Sequence, residues 1–243
     1  FGGFDIDVGW DVVADNYDNL YVTGFYQNFT EFNATQLTDY TQSGNRRFYV
    51  AYYNVTAEGW DWAKDSRGAG TSEPYQLVHE KSTNSVYIAG YNTGNEQWNN
   101  GGFTSNPAGT WAGFVVKYAD DGNFLWGRST GSTQCQFGSN CGVYFNNIVI
   151  HPFGGIVVAG HYVLNYKQQG GTVNGGFGNW DVLVVRYDEN GTQLWTFGAG
   201  SGGDDRIQSL SVNQKGQVPF GGTHIANMTF DNYNLGMKYS KGY

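Results

Sequence analysis

A run of β-branched and aromatic residues ending in glycine recurs four times along this chain. It reads Leu20-Tyr-Val-Thr-Gly24, Val86-Tyr-Ile-Ala-Gly90, Ile156-Val-Val-Ala-Gly160 and Val218-Pro-Phe-Gly-Gly222, with the closing glycines 66, 70 and 62 residues apart. Self-similarity at a fixed period constrains a fold more than any single motif, because each repeat must be one supersecondary unit that buries its faces against its neighbours.

The rest of each repeat is equally regular. A second apolar run follows: Phe48-Tyr-Val-Ala-Tyr-Tyr53, Phe114-Val-Val-Lys-Tyr118, Val182-Leu-Val-Val-Arg-Tyr187 and Leu235-Gly-Met-Lys-Tyr239. In three repeats a turn and a tryptophan come next: Glu58-Gly59 before Trp60 and Trp62, Asp121-Gly122 before Trp126, Asn190-Gly191 before Trp195. Asp-Gly and Asn-Gly tolerate the positive φ of tight hairpins. A short apolar stretch precedes each first run, beginning at Trp10, Tyr75, Phe145 and Ile207. Asp18-Asn19 and Lys215-Gly216 mark turns between the first and second stretches. No segment carries a sustained helical period, and the 37 glycines would break one.

The chain therefore reads as all-β, with four short antiparallel strands per repeat. Four such strands match one β-propeller blade, so about four blades are expected in a single domain over 1–243. The repeats fall at roughly 1–70, 71–134, 135–200 and 201–243. They are longer than common blades, and the excess lies between second and third strands, from Gln27 to Arg47 and from Tyr91 to Ala112. These stretches read as long surface loops on one side of each blade. The fourth repeat lacks a Trp strand, and Phe1-Gly-Gly3 resembles Phe197-Gly-Ala199. The N-terminal segment is thus expected to pair with the last blade and close the ring, the alternative being an open edge that takes a strand from a neighbouring molecule and builds a head-to-tail fibre.

The quoted residues resemble the SBBP-type β-propeller repeats, whose pattern runs D-x-x-G-N-x-Y-V-T-G, then D-x-F-V-x-K-Y-x-x-x-G-x-x-x-W. Here it stands as Asp15-Asn-Tyr-Asp-Asn19-Leu-Tyr-Val-Thr-Gly24, and again as Asp181-Val-Leu-Val-Val-Arg-Tyr187 with Asp188-Glu-Asn-Gly-Thr-Gln-Leu-Trp195. The resemblance covers nearly the whole chain in four copies. It implies a propeller fold and an extracellular setting, and it carries no catalytic residues across.

Charge narrows the partners. Thirteen Lys plus Arg against 21 Asp plus Glu give a net charge of −8, which supplies no footprint for nucleic acid or an anionic membrane. Apolar runs are short, so no membrane insertion is expected. The stretch at Phe1 has no Met, basic region or apolar region of a signal peptide and reads as a mature segment of something larger. Cys135 and Cys141 are the only cysteines, and a short-loop disulfide is the expected state.

Five N-x-S/T sequons, at Asn28, Asn33, Asn54, Asn190 and Asn227, read as glycosylation acceptors of a secreted or cell-surface protein. No cofactor is expected. Calcium is possible at two acidic turns, Asp15, Asp18 and Asn19, and Asp120, Asp121 and Asn123. The histidines His79, His151, His161 and His224 share no ligand spacing. Gly198-Ala-Gly-Ser-Gly-Gly203 matches a dinucleotide fingerprint but opens no helical pattern. The Asp120 and Asp188 turns faintly resemble sialidase Asp boxes and read as structural. Asp204-Asp205 and Asp5 with Asp7 are paired carboxylates such as a glycosidase uses, but adjacent strand residues face opposite ways, which argues against Asp204 and Asp205 acting together.

The expected function is therefore non-enzymatic: an extracellular structural or assembly glycoprotein, the subunit of a fibre, matrix or surface. Its partners would be further copies, other extracellular proteins or glycans. The alternative is a lectin-like carbohydrate-binding module, in which Tyr26, Tyr91, Trp98, Trp111 and Trp180 stack on sugar rings. A glycoside-active enzyme comes last.

Overall fold

The computed structural model describes the chain except for residues 1, 4, 34, 40–43, 100–101, 106–110, 132–141, 168–172, 226–228 and 231–243. The described residues are all-β. No helix among them is long and apolar enough to cross a membrane.

The first repeat forms β1 (Asp7–Ala14), β2 (Leu20–Tyr26), a small hairpin β3 (Phe29–Phe32) and β4 (Thr35–Thr38), then β5 (Arg47–Asn54) and β6 (Gly59–Gly68). The second forms β7 (Ser72–Glu80), β8 (Ser85–Thr93), a hairpin β9 (Glu96–Trp98) and β10 (Phe103–Ser105), then β11 (Trp111–Ala119) and β12 (Phe124–Gly131). The third forms β13 (Val143–Ile150), β14 (Ile156–Lys167), β15 (Val173–Tyr187) and β16 (Gln193–Gly200). The fourth opens with β17 (Arg206–Leu210), β18 (Phe220–Thr223) and β19 (Thr229–Phe230).

Three antiparallel meanders result: β1-β2-β5-β6, β7-β8-β11-β12 and β13-β14-β15-β16. The fourth repeat contributes β17 paired with β18, and the expected run Leu235–Tyr239 lies outside the described residues. The stretches between second and third strands are not simply loops. Along Phe29-Thr-Glu-Phe32 burial alternates, with Thr30 and Phe32 buried and Glu31 exposed, and β3 pairs with β4. The β9–β10 hairpin extends the first sheet by pairing β9 with β6, and β19 extends the third by pairing with β16.

The sheets pack in chain order. One cluster joins the first two through Tyr21, Val50, Trp62, Leu77, Ile88 and Val116. A second joins the next two through Tyr87, Val115, Trp126, Ile148, Val158 and Leu183. A third seats Ile207, Leu210 and Phe220 on Val157, Val184 and Phe197.

Each first strand is bulged, so the ladder skips Trp10, Tyr75, Asn146 and Gln208. A bulge frees a backbone group from its own ladder. The preceding sheet supplies the partner: the Leu77 N–H donates to Asp11 at 3.0 Å, and the Ile148 N–H donates to Gln76 at 2.8 Å.

The N-terminal residues repeat a feature seen between the third and fourth sheets. The Ser201 N–H donates to Asp205 at 2.6 Å, and Gly200 pairs with Thr229. Likewise the Gly3 N–H donates to Asp7, and Gly2 pairs antiparallel with Glu31. Gly2, Gly3 and Asp7 thus make the contacts of a connection between sheets.

Candidate functional site

A group of partly exposed rings in mutual contact lies where the first strands begin and the second strands end. Three registers build this end. The bulge position carries Trp10 and Tyr75. The residue after the run-ending glycine is Phe25, Tyr91 and His161 in the first three repeats. The third-strand segments contribute Arg46, Trp111 and Trp180, each one residue before Arg47, Ala112 and Asp181, which share a register place. One repeat offset therefore brings residues far apart in sequence onto one surface.

The contacts run without a break. Trp10 meets Tyr75 at 5.7 Å between ring centroids, and Tyr75 stacks on Tyr91 at 5.7 Å. Tyr91 meets Tyr144 at 4.7 Å, and Tyr144 meets Trp180 at 5.3 Å. Trp111 lies edge-on to Tyr144 at 5.1 Å and parallel to Trp180 at 6.5 Å. Trp10 is 46% exposed, and Tyr75, Tyr91, Trp111, Tyr144 and Trp180 are half-buried.

Polar groups are threaded through the rings. Glu73 is buried and accepts from the Tyr91 hydroxyl at 2.8 Å and from Arg46 at 2.6 Å. The Arg46 guanidinium lies over Phe25 and the Arg206 guanidinium over Trp180, at 4.8 and 5.8 Å. Burial, then the charge of Glu73, raises the Tyr91 phenol far above its ordinary range, so it remains a hydrogen-bond donor. Burial pushes Tyr75 up to about 12. Burial beside Tyr144 and Trp180, with Arg206 adding to it, holds His161 down at about 4, so its imidazole is neutral at physiological pH. The surface offers flat apolar faces edged by fixed donors and acceptors, the means by which a protein holds a polar ring with two apolar faces.

Of the residues expected to stack on sugars, Tyr91, Trp111 and Trp180 meet here. Tyr26 and Trp98 do not. Both are fully buried, Tyr26 donating to Asp65 at 2.9 Å and Trp98 packed on Phe48, Phe103 and Phe114. Trp10, Tyr75, Tyr144 and His161 join the surface without having been singled out in the sequence. Trp10 and Tyr75 open their apolar stretches, but the bulge that turns them outward has no clear sequence mark.

The other candidates scatter. Asn33 is exposed at the β3–β4 tip with φ of 51°, and Asn190 is exposed in the β15–β16 turn. Asn28 and Asn54 are half-buried, their amides bonded to Asp5 and Asp61. Asn227, Cys135 and Cys141 lie outside the described residues.

The two acidic turns use their oxygens internally. Asp15 accepts from Tyr17, Asn19 and Tyr52, and Asp121 accepts twice from Asn123. Asp188 closes its turn by accepting from Asn190 and Thr192. Among the described residues no three His, Cys, Asp or Glu side chains are grouped to hold a metal. Gly198–Gly203 leads from β16 toward β17, not into a helix.

A cleft of about 510 Å³ at the opposite end is lined by His79, Glu80, His151 and Glu189. There Glu80 already accepts from Tyr87 and Ser82.

No family model matches the chain, and no curated protein matches it.

Proposed function

We propose that this chain is an extracellular, non-enzymatic module whose aromatic end binds carbohydrate. The observation that carries the reading is the continuous series of partly exposed rings from Trp10 to Trp180, with Glu73, Arg46 and Arg206 among them. A glycan array probed with the native chain tests it. Binding to a defined set of glycans supports the reading, and a blank array removes it.

We read the scaffold as a β-propeller of about four blades, in keeping with the resemblance to SBBP-type repeats. Supporting this are the three meanders, the packing of sheets in chain order and the N-terminal residues in the phase of a connection between sheets. A small-angle scattering profile of a closed disc agrees with that scaffold, whereas an elongated stack of sheets does not. The extracellular, glycosylated setting rests on sequons such as exposed Asn33. Intact mass before and after removal of N-glycans tests it.

A structural or assembly role is the second reading. It is favoured by Tyr17 and Phe153, turn residues 74% and 71% exposed at the end opposite the aromatic surface. Such apolar tips suit contact with another copy. Sedimentation across a wide concentration range tests it: growth into longer species supports assembly, and a constant monomer counts against it.

A further inference from the structure

The three complete sheets can be superposed residue by residue through their registers. Tyr26 stands opposite Arg47 in the first sheet, Asn92 opposite Ala112 in the second and Tyr162 opposite Asp181 in the third. Arg47, Ala112 and Asp181 thus share one register place on the third strand. The next sheet's first strand brings a neighbour to that place, three residues before its bulge: Ser72, Val143 and Asp205. The Ser72 hydroxyl accepts from the Phe48 N–H, and Val143 lies against Gly113, so the first two pairs meet through adjacent residues.

The three pairs solve one problem differently. In the first sheet the Arg47 guanidinium donates to the connection carbonyls of Gly68 at 2.6 Å and Gly70 at 2.8 Å, and it neutralises Asp39 and Glu96. In the second, Ala112 and Val143 are apolar and buried, and no ion pair is found there among the described residues. In the third, two carboxylates converge. Asp181 and Asp205 are both fully buried, and neither has an ion-pair partner among the described residues. The Ser201 N–H lies between them, donating to Asp205 and close enough to influence Asp181. Asp181 also accepts from Phe177 and Gly178. Even so, one oxygen of each carboxylate, Oδ1, is buried without a hydrogen-bond partner. Two buried carboxylates with orphaned oxygens call for a positive charge.

We infer that Asp181 and Asp205 form a cation site, taking calcium where the first sheet places the Arg47 guanidinium. Carboxylate and carbonyl oxygens are the donors calcium takes, in a geometry looser than magnesium accepts. The backbone carbonyls of the 200–204 connection are the counterparts of those that Arg47 holds. Trp180 and Arg206 flank the two carboxylates in sequence, so the ion braces one side of the aromatic surface. The site is independent of the carbohydrate reading and differs from the Asp15 and Asp120 turns.

The test is thermal unfolding of the native chain in EGTA and in increasing calcium chloride, with magnesium chloride as comparison. Saturable stabilisation is expected, a rise of roughly 5 °C or more at saturating calcium, with a smaller response to magnesium. Asp181→Asn and Asp205→Asn should flatten the response. Because either variant could fold poorly, the double variant Asp181→Ala with Asp205→Val transplants the apolar pair of the second sheet. It should fold and melt at one temperature with or without calcium. Identical melting of the native chain in EGTA and in millimolar calcium overturns the site, as does an undiminished calcium response in the folded double variant.

Discussion

Trp126 donates its indole N–H to the main-chain carbonyl of Glu189 at 2.8 Å, joining the last strand of one meander to a turn of the next. Trp62 makes the same bond to Asp120, also at 2.8 Å. In both cases the turn glycine lies flat on the indole: a Cβ on Gly122 or Gly191 would come within 2.8 Å of a ring carbon. The repeat period thus doubles as a latch between sheets, and the sequence pattern of turn glycine and tryptophan encodes both halves of it.

Removing a latch should therefore be costly. Trp126→Ala is expected to lose about 3–5 kcal/mol of stability, and Trp126→Phe, which keeps much of the packing but drops the bond, about 1–2 kcal/mol. Gly191→Ala combines a φ of 75° with the clash on Trp126 and should cost about 1–3 kcal/mol. Urea unfolding of the three variants checks the order, and a neutral Gly191→Ala would contradict the close packing.

Arg47 is a second point of vulnerability. It is 1% exposed and pairs with Asp39 at 3.1 Å and Glu96 at 2.8 Å. Arg47→Met strands two buried carboxylates and is expected to cost about 3–5 kcal/mol near neutral pH. Burial pushes Glu96 up to about 7 even with Arg47 opposing it. Without Arg47 the carboxyl is raised further, so protonation relieves the variant as pH falls. The deficit of Arg47→Met should then be smaller at pH 5 than at pH 8, and a deficit that grows on acidification would exclude this origin.

His161 gives the opposite sign. Its folded value, about 4, lies below the ordinary 6.5 because burial disfavours the charged ring. Between those two values the unfolded chain binds more protons than the folded one. Stability is complete above pH 6.5 and declines as pH falls toward 4, by up to about 3 kcal/mol. His161→Phe keeps a ring against Tyr144 and Trp180 and removes the titration. The difference in unfolding free energy between the native chain and His161→Phe should shrink or reverse over that window; a parallel pH dependence would refute the assignment.

Much of this was legible in the sequence, for identifiable reasons. Runs such as Val86–Gly90 and Phe114–Tyr118 are β-branched and aromatic, and they became β8 and β11. The positive φ expected at the turns is found at Gly122, Gly191 and Asp18, although in the first repeat Glu58 adopts it instead of Gly59. The aromatic surface was only partly legible. Trp10 and Tyr75 reach it because a bulge reverses the in-out alternation at those positions. Trp98 was expected in a loop, but β9 folds back along β6 and turns that ring into the core. The Asp181–Asp205 pair is invisible to local pattern, because it forms only when the first strand of one sheet meets the third strand of the preceding one.

The aromatic surface makes the sharpest functional prediction. Trp180 touches Tyr144, His161 and Trp111, while Tyr91 bridges Tyr75 and Tyr144. Each is half-buried, so truncation removes a stacking face without opening the centre of a core cluster. Trp180→Ala and Trp111→Ala should each weaken binding to a responding glycan about tenfold or more, equivalent to about 1.4 kcal/mol. Tyr91→Phe keeps the ring but loses the bond to Glu73, so it should cost less than Tyr91→Ala. Tyr17→Ala, at the far end, should bind as the native chain does. Titration calorimetry with one responding oligosaccharide compares all five. If Tyr17→Ala loses as much as Trp180→Ala, or if none of the ring variants loses affinity, the ligand lies elsewhere and the aromatic end is not its site.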